Sequence, residues 1–145
     1  MLRRRWLTVI LCVLWAASIF ATSSTVITPH TFFAWFRKNI FDDPESFRQF
    51  QVFWAASWLF VVKGWHVTEF AILTVLTTRA TDVVRGNQTS RNVLIAAGLC
   101  VVYAASDEWH QTFVPKRGGV FSDVLIDCFG IAMAALVLFR NRRRP

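Results

Sequence analysis

Four apolar stretches, each long enough to cross a lipid bilayer as a helix, occupy most of this chain of 145 residues. A transmembrane helix needs about 20 largely apolar residues to span roughly 30 Å of hydrocarbon. The stretches lie at about residues 6–22, 52–78, 93–111 and 123–139. Little sequence is left for a soluble domain. The pattern therefore predicts a single all-α domain over residues 1–145, an integral membrane bundle of four transmembrane helices.

The amino-acid composition excludes the main soluble alternatives. Apolar residues make up 54% of the chain and charged residues only 17%, whereas a soluble domain carries about 25% charged residues. A chain this short has too little interior to bury so much apolar surface in water. Intrinsic disorder requires the opposite combination of low hydrophobicity and high charge.

The positive charge of +7 is distributed in short clumps between the apolar stretches. This distribution is typical of loops at a membrane surface, and we expect no nucleic-acid partner. With the N-terminus inside, 10 of the 16 basic residues fall in three inner segments, residues 1–5, 79–91 and 140–145. The positive-inside rule therefore predicts that both termini are cytoplasmic.

The chain before residue 52 allows two alternatives. The first apolar stretch could be a secretory signal with a cleavage site near Ala16, but it continues past that point to Ala21, which favours a retained helix. Residues 31–41 are rich in aromatic side chains and predict a short segment in the membrane interface or a loop with aromatic anchors. Asp43 followed by Pro44 is typical of a helix start.

The three cysteines, Cys12, Cys100 and Cys128, lie inside apolar stretches without any CxxC spacing. Their positions indicate small buried apolar residues. Neither a disulfide framework nor a cysteine-based metal site is expected from them.

Ionisable and polar residues gather at one depth on three of the predicted helices. They are Lys63, His66 and Glu69 in the second stretch, Asp107, Glu108, His110 and Gln111 at the end of the third, and Asp123 and Asp127 at the start of the fourth. Spacings of three and four residues place each set on one helix face. A charge inside a bilayer costs about 2.5–3.5 kcal/mol on insertion scales, so the pattern predicts an outward-facing polar site. Structural pairs such as Lys63 with Asp127, or His66 with Glu69, are the alternative.

The loop between the third and fourth stretches contains Pro115, Lys116, Arg117, Gly118 and Gly119. Proline prevents continuation of the third helix. The two glycines permit positive φ and close backbone approach. A basic turn that leads into a helix N-terminus indicates an anion site, while a tight hairpin with surface charge is the alternative.

The start of the fourth stretch carries two further signals. Ser122 and Asp123 can cap the helix. Gly130 lies on the same face as Asp127, and a small residue there predicts close approach of a neighbouring helix.

These residues resemble the signature of VanZ-like proteins. Residues 107–119 followed by 123–127 are similar to the family pattern D-E-x-H-Q-x-F-V-P-x-R, a short Gly/Ser segment and D-x-x-x-D. Residues 63–70 are similar to K-x-x-H-x-x-E-[YF], and the Ser23–Ser24 pair matches a weaker feature. Lys116 departs from a common glycine and Trp109 from a common aliphatic residue. The resemblance extends over all four stretches.

The resemblance implies a small multi-pass protein of a bacterial inner (cytoplasmic) membrane. The family is named after a protein linked to low-level resistance to the glycopeptide teicoplanin. We therefore expect a site that recognises or modifies a lipid or a lipid-linked cell-envelope component, with a contribution to glycopeptide resistance. Expected partners are membrane lipids, a lipid-linked cell-wall precursor or glycopeptide, and a second copy of the chain.

Two classes of function fit the polar site. In an enzyme, His66 or His110 would act as general base, because histidine titrates near neutral pH. The candidate catalytic residues are His66, Glu69, Asp107, Glu108 and His110, with Asp107 or Glu108 orienting the base. The alternative is a non-enzymatic binder or a transporter-accessory protein.

The candidate binding residues are Lys63, Gln111, Lys116, Arg117, Ser122, Asp123 and Asp127. Lys63 and Arg117 would steady a phosphate. Asp123 and Asp127 offer oxygen ligands of the type that Mg²⁺ prefers, but the sequence names no cofactor and contains no metal-binding motif.

Overall fold

A computed structural model describes residues 2–143, with side chains from Trp6 onward. Over this range the elements are five helices: α1 (Leu2–Ser23), α2 (Pro29–Asn39), α3 (Pro44–Arg85), α4 (Ser90–Gln111) and α5 (Phe121–Arg143). The predicted all-α class is confirmed. The topology prediction also used Arg3, Arg4, Arg5 and Arg144; the first three side chains and all of Arg144 lie outside the described part.

Three of the helices, α1, α3 and α5, are long and apolar enough to cross a membrane. This property supports a membrane protein. Helix α4 has a sufficient length of 22 residues, but Arg91 and Asn92 near its start and Asp107 and Glu108 near its end lower its hydropathy. The passage of α4 through the bilayer therefore stays a prediction.

Helix α3 begins where the Asp43–Pro44 pair predicts. The Asp43 side chain accepts a hydrogen bond of 2.7 Å from the backbone N–H of Ser46, and this bond holds the pKa of the Asp43 carboxyl below its usual range. The helix then continues for 42 residues to a left-handed Gly86. Its length of about 63 Å, at 1.5 Å per residue, is twice the hydrocarbon thickness and exceeds the predicted stretch 52–78 at both ends.

The aromatic segment before α3 forms a helix of its own. Thr28 caps α2 and Pro29 occupies its first turn, a position that suits the fixed φ of proline. The Phe32 ring lies 4.5 Å from Trp54, and Phe36 stacks on Phe50 at 4.8 Å. We call α2 and the first part of α3, residues 29–58, the aromatic hairpin.

Helix α3 is the centre of the bundle and contacts α1, α4 and α5. Its Phe70 and Leu73 are buried with Cys100 of α4, Ile131 of α5 and Ile19 of α1. Two hydrogen bonds fix α1 to this core. The Trp15 indole donates to the Glu69 carbonyl at 3.0 Å, and the Tyr103 hydroxyl donates to the Ala16 carbonyl at 2.7 Å.

The close approach predicted at Gly130 is confirmed. A Cβ atom at this position would collide with the backbone carbonyl of Val67 in α3. The prediction that Ser122 and Asp123 cap α5 was wrong. The helix begins at Phe121, and both residues lie inside its first turn. The Asp123 N–H bonds to the Val120 carbonyl at 2.8 Å.

We expect Gly130→Ala to destabilise the protein by roughly 1–3 kcal/mol, because α5 must move away from α3 to accept a methyl group. The matched control is Gly98→Ala in α4, where a Cβ would meet nothing within 4 Å. Thermal unfolding in detergent, followed by size-exclusion chromatography, compares the two variants. An unchanged midpoint for Gly130→Ala would contradict the packing described here.

Candidate functional site

Two charge contacts join α3 and α5, one helical turn apart. The Lys63 ammonium lies 2.6 Å from both carboxylate oxygens of Asp123. His66 Nδ1 lies 3.2 Å from Asp127 Oδ1, and the Asp127 side chain is only 1% exposed. The alternative pairs considered from the sequence, Lys63 with Asp127 and His66 with Glu69, were wrong, because the helix register brings each carboxylate to a different partner.

Gln111 connects the polar residues at the end of α4. Its Nε2 donates to Asp107 Oδ2 at 2.9 Å and to Glu108 Oε1 at 3.0 Å. Its Oε1 accepts from Arg117 Nε at 2.9 Å. The amide therefore neutralises neither carboxylate but fixes both relative to the guanidinium of Arg117.

The remaining carboxylate oxygens are also occupied. The Ser23 hydroxyl donates to Asp107 Oδ1 at 2.7 Å, and the Val120 N–H donates to Glu108 Oε2 at 3.0 Å. These hydrogen bonds hold both carboxylates in fixed positions. Asp107 and Glu108 therefore connect α4 to α1 and to the following loop, and neither makes a hydrogen bond to His110.

Arg117 ties the loop back to α1. Its Nη1 donates to the carbonyls of Thr22 at 2.9 Å and Thr25 at 2.7 Å. Thr22 lies in the last turn of α1, where carbonyls have no partner within the helix, and Thr25 lies just after the end of the helix at Ser23. Lys116 differs, because it is exposed and makes no ion pair or hydrogen bond with the described residues.

Close backbone approach, one of the two properties predicted for the loop glycines, is confirmed, whereas a positive φ is found at neither glycine. Gly119 allows close approach, since a Cβ there would collide with the Glu108 carbonyl. The positive φ of 65° falls on Lys116, and neither Gly118 nor Gly119 has one. The position where the family commonly has glycine thus has the left-handed backbone that favours glycine.

A cavity of about 380 Å³ opens between α1 and α3, and we call it the polar cavity. Four of the predicted site residues line it: His66, Glu69, Asp107 and Arg117. Its walls include the apolar side chains of Val61, Val62 and Trp65. With Nδ1 of His66 at Asp127, Nε2 makes no hydrogen bond to any described residue.

His110 belongs to a different cavity. Its Nε2 lies 3.3 Å from the Ser24 hydroxyl, and its ring packs on Phe20 at 4.6 Å. The cavity here has a volume of about 280 Å³ and shares Asp107 with the polar cavity. The two histidines therefore line different cavities. Ser122 is exposed and donates to Asp123 Oδ1 at 3.3 Å.

The Mg²⁺ hypothesis gains no support from the geometry. Asp123 already contacts the Lys63 ammonium and Asp127 already contacts His66. Over residues 2–143 no group of three or more His, Cys, Asp or Glu side chains is arranged to hold a metal ion.

A second polar cluster at the other end of the bundle was not predicted. Arg142 Nη1 donates to Asp82 Oδ1 at 3.0 Å and to the Thr89 carbonyl at 2.7 Å. Buried Asn92 donates to the same Asp82 oxygen at 2.9 Å. Equal spacing in the two helices was a signal that the sequence offered for this cluster. Asp82 lies about 28 Å farther along α3 than Lys63, at a rise of 1.5 Å per residue. Arg142 follows Asp123 by the same number of residues along α5.

The fold and the paired charges between its helices define an all-helical membrane protein. A family model described as VanZ/LLP1 matches residues 7–141. The chain therefore belongs to the VanZ/LLP1 family, as its signature residues indicate. No curated protein and no solved structure matches it.

We expect Lys63→Met to destabilise the protein by up to about 3–5 kcal/mol, because it leaves Asp123 partly buried without its cation. The double variant Lys63→Met/Asp123→Leu should recover much of this loss. Arg48→Met, which breaks the exposed Glu45–Arg48 pair, is the control and should have little effect. Thermal unfolding in detergent measures all three; a double variant less stable than Lys63→Met would contradict the pairing.

We expect Lys116→Gly to stabilise the protein by up to about 1 kcal/mol. The left-handed conformation costs an L-residue about 1–2 kcal/mol, and the greater unfolded-state entropy of glycine offsets part of the gain. Lys116→Ala removes the same charge but keeps a Cβ, so its midpoint should not rise. Equal midpoints for the two variants would rule out backbone strain as the cause.

Proposed function

We propose that this protein binds the polar head of a lipid or lipid-linked cell-envelope component in the polar cavity. The observation that carries the proposal is the combination of His66, Glu69 and Arg117 with apolar walls in one cavity between two helices. Such a cavity is suited to an amphipathic molecule, because its polar groups can meet ionisable side chains while its apolar part stays in contact with hydrocarbon. Intramembrane ionisable residues of this kind are commonly functional.

We place the protein in the bacterial cytoplasmic membrane with four spans, both termini inside and the polar cavity in the outer half. The two polar clusters support this placement. Their separation of about 28 Å along α3 and α5 is close to the thickness of the hydrocarbon core. The cluster at Asp82 then lies near the cytoplasmic surface, and the cluster at Lys63 lies where the hydrocarbon core meets the outer interfacial layer, into which residues 52–62 of α3 continue. Arg140, Arg142 and Arg143 fall on the cytoplasmic side, as the positive-inside rule requires.

Modification of the bound molecule is a second candidate function, and the His66–Asp127 contact favours it. An ionised Asp127 fixes the tautomer in which Nδ1 carries the proton, and Nε2 is then the basic nitrogen. A carboxylate that orients a histidine is the arrangement of a general base. His66 would accept a proton from a hydroxyl group or water, and Glu69 in the same cavity would hold the attacking group.

We expect the lipid extract of cells expressing the wild type to differ from that of cells expressing His66→Gln or Glu69→Gln. If the protein modifies its ligand, a head-group species present with the wild type disappears in both variants. If it binds without chemistry, the cellular lipids stay equal and the lipid that co-purifies with the protein is lost. Mass spectrometry of cell extracts and of purified protein measures both.

The matched control is His30→Gln, which changes an exposed histidine of α2 and should behave as the wild type. At equal expression, the same cellular and co-purifying lipids in wild type, His66→Gln and Glu69→Gln would contradict the proposal. A contribution to glycopeptide resistance is its cellular consequence. Teicoplanin susceptibility of the same strains tests this consequence separately.

A further inference from the structure

A second, almost wholly apolar cavity lies beside the polar cavity. It has a volume of about 570 Å³ and is formed where α2 meets α3. Its lining includes Phe32, Phe33, Trp54, Ala55 and Trp58. We call it the aromatic groove.

A third cavity connects the two. Its lining includes Thr22 and Arg117, which also line the polar cavity, and Ile27, which also lines the aromatic groove. Val62 lines both the polar cavity and the aromatic groove directly. The three cavities are therefore adjacent, and Thr22, Ile27 and Val62 are walls that two of them share.

The connecting cavity supplies a positive charge that the bundle does not use. Lys116 lines it and makes no ion pair with the described residues. By contrast, Arg117 is bonded to Gln111, to the carbonyl of Thr22 in α1 and to the carbonyl of Thr25 just after α1. A cation between a polar cavity and an apolar groove complements an anionic group that joins a polar head to a hydrocarbon chain.

We infer that the ligand is a phosphate-bearing lipid, with its hydrocarbon chain in the aromatic groove, its phosphate at Lys116 and its distal head group in the polar cavity. The inference rests on the proposed function and names the class of molecule that the site takes. It also assigns a role to the aromatic hairpin, whose α2 helix forms one wall of the chain site. Apolar contacts bind the chain, and the ammonium at Lys116 selects the anionic head.

Photo-crosslinking of the wild-type chain locates the hydrocarbon. The full chain is placed in nanodiscs of digalactosyldiacylglycerol, a neutral lipid without phosphate, with phosphatidic acid that carries a diazirine near the end of one acyl chain. We expect adducts on the groove residues Phe32, Phe33, Trp54 and Trp58, and competition by unlabelled phosphatidic acid. Adducts confined to membrane-exposed positions such as Val102 and Leu136 would overturn the inference.

A matched pair of substitutions tests the groove itself. Ala55→Trp fills the groove, whereas Ala56→Trp adds the same side chain at the next position, which does not line it. We expect the first to weaken phosphatidic acid labelling by about tenfold or more and the second to leave it unchanged. Equal labelling in both variants, at equal thermal midpoints, would overturn the chain site.

The phosphate is tested with Lys116→Ala and Lys116→Arg. We expect labelling to fall in the first and to persist in the second, with Lys38→Ala on the exposed face of α2 as the control. Equal labelling of Lys116→Ala and the wild type would overturn the inference that the phosphate of the ligand binds at Lys116. Failure of the proposed function gives a different result, which the crosslinks do not affect. In that case His66→Gln and Glu69→Gln leave both the cellular lipids and the co-purifying lipids unchanged.

Discussion

The pairing of charged side chains between helices is the constraint on which the rest of this structure depends. In hydrocarbon an unpaired charge cannot be rescued by water, so each ionisable group between the helices needs a fixed partner. Lys63 meets Asp123, His66 meets Asp127, and Arg142 meets Asp82. All three contacts fix the register of α3 against α5. Two of them involve the first turns of α5, and the third involves its last turn.

Close backbone approach makes this register possible. Gly130 brings α5 against the Val67 carbonyl. At this distance Lys63 reaches Asp123, two turns before Gly130, and His66 reaches Asp127, one turn before it. Gly119 does the same for the loop, because its contact with the Glu108 carbonyl places the Val120 N–H on the Glu108 carboxylate. The glycines thus allow the backbone approach that the contacts between the polar side chains require.

The same network separates residues that position the site from residues that are available to a ligand. Asp107, Glu108, Gln111 and Arg117 are joined by hydrogen bonds to one another, to α1 and to the following loop, and of these Asp107 and Arg117 also line the polar cavity. His66 keeps one ring nitrogen for the polar cavity, and Lys116 keeps its whole charge in spite of a positive φ. Strained backbone positions concentrate at functional sites, and a lysine in place of glycine at this position exchanges stability for a cation.

The sequence by itself determined the helical class, the membrane setting, the start of α3 at Asp43–Pro44 and the family. It did so because apolar length, proline position and a dense motif are local properties of the chain. It also identified the residues that converge, since helical spacing places Lys63 with His66 and Asp123 with Asp127. Only the tertiary structure decided which carboxylate faces Lys63 and which faces His66, because a rotation or one-turn shift of α5 leaves the sequence pattern unchanged.

The tertiary structure also decided that His66 and His110 open to different cavities, that Asp82 and Arg142 meet 60 positions apart in the chain, and that α2 folds onto α3 to form the aromatic groove. These outcomes depend on how four helices pack around α3. No spacing within one helix records that packing, since it is set by the fit of side chains from different parts of the chain.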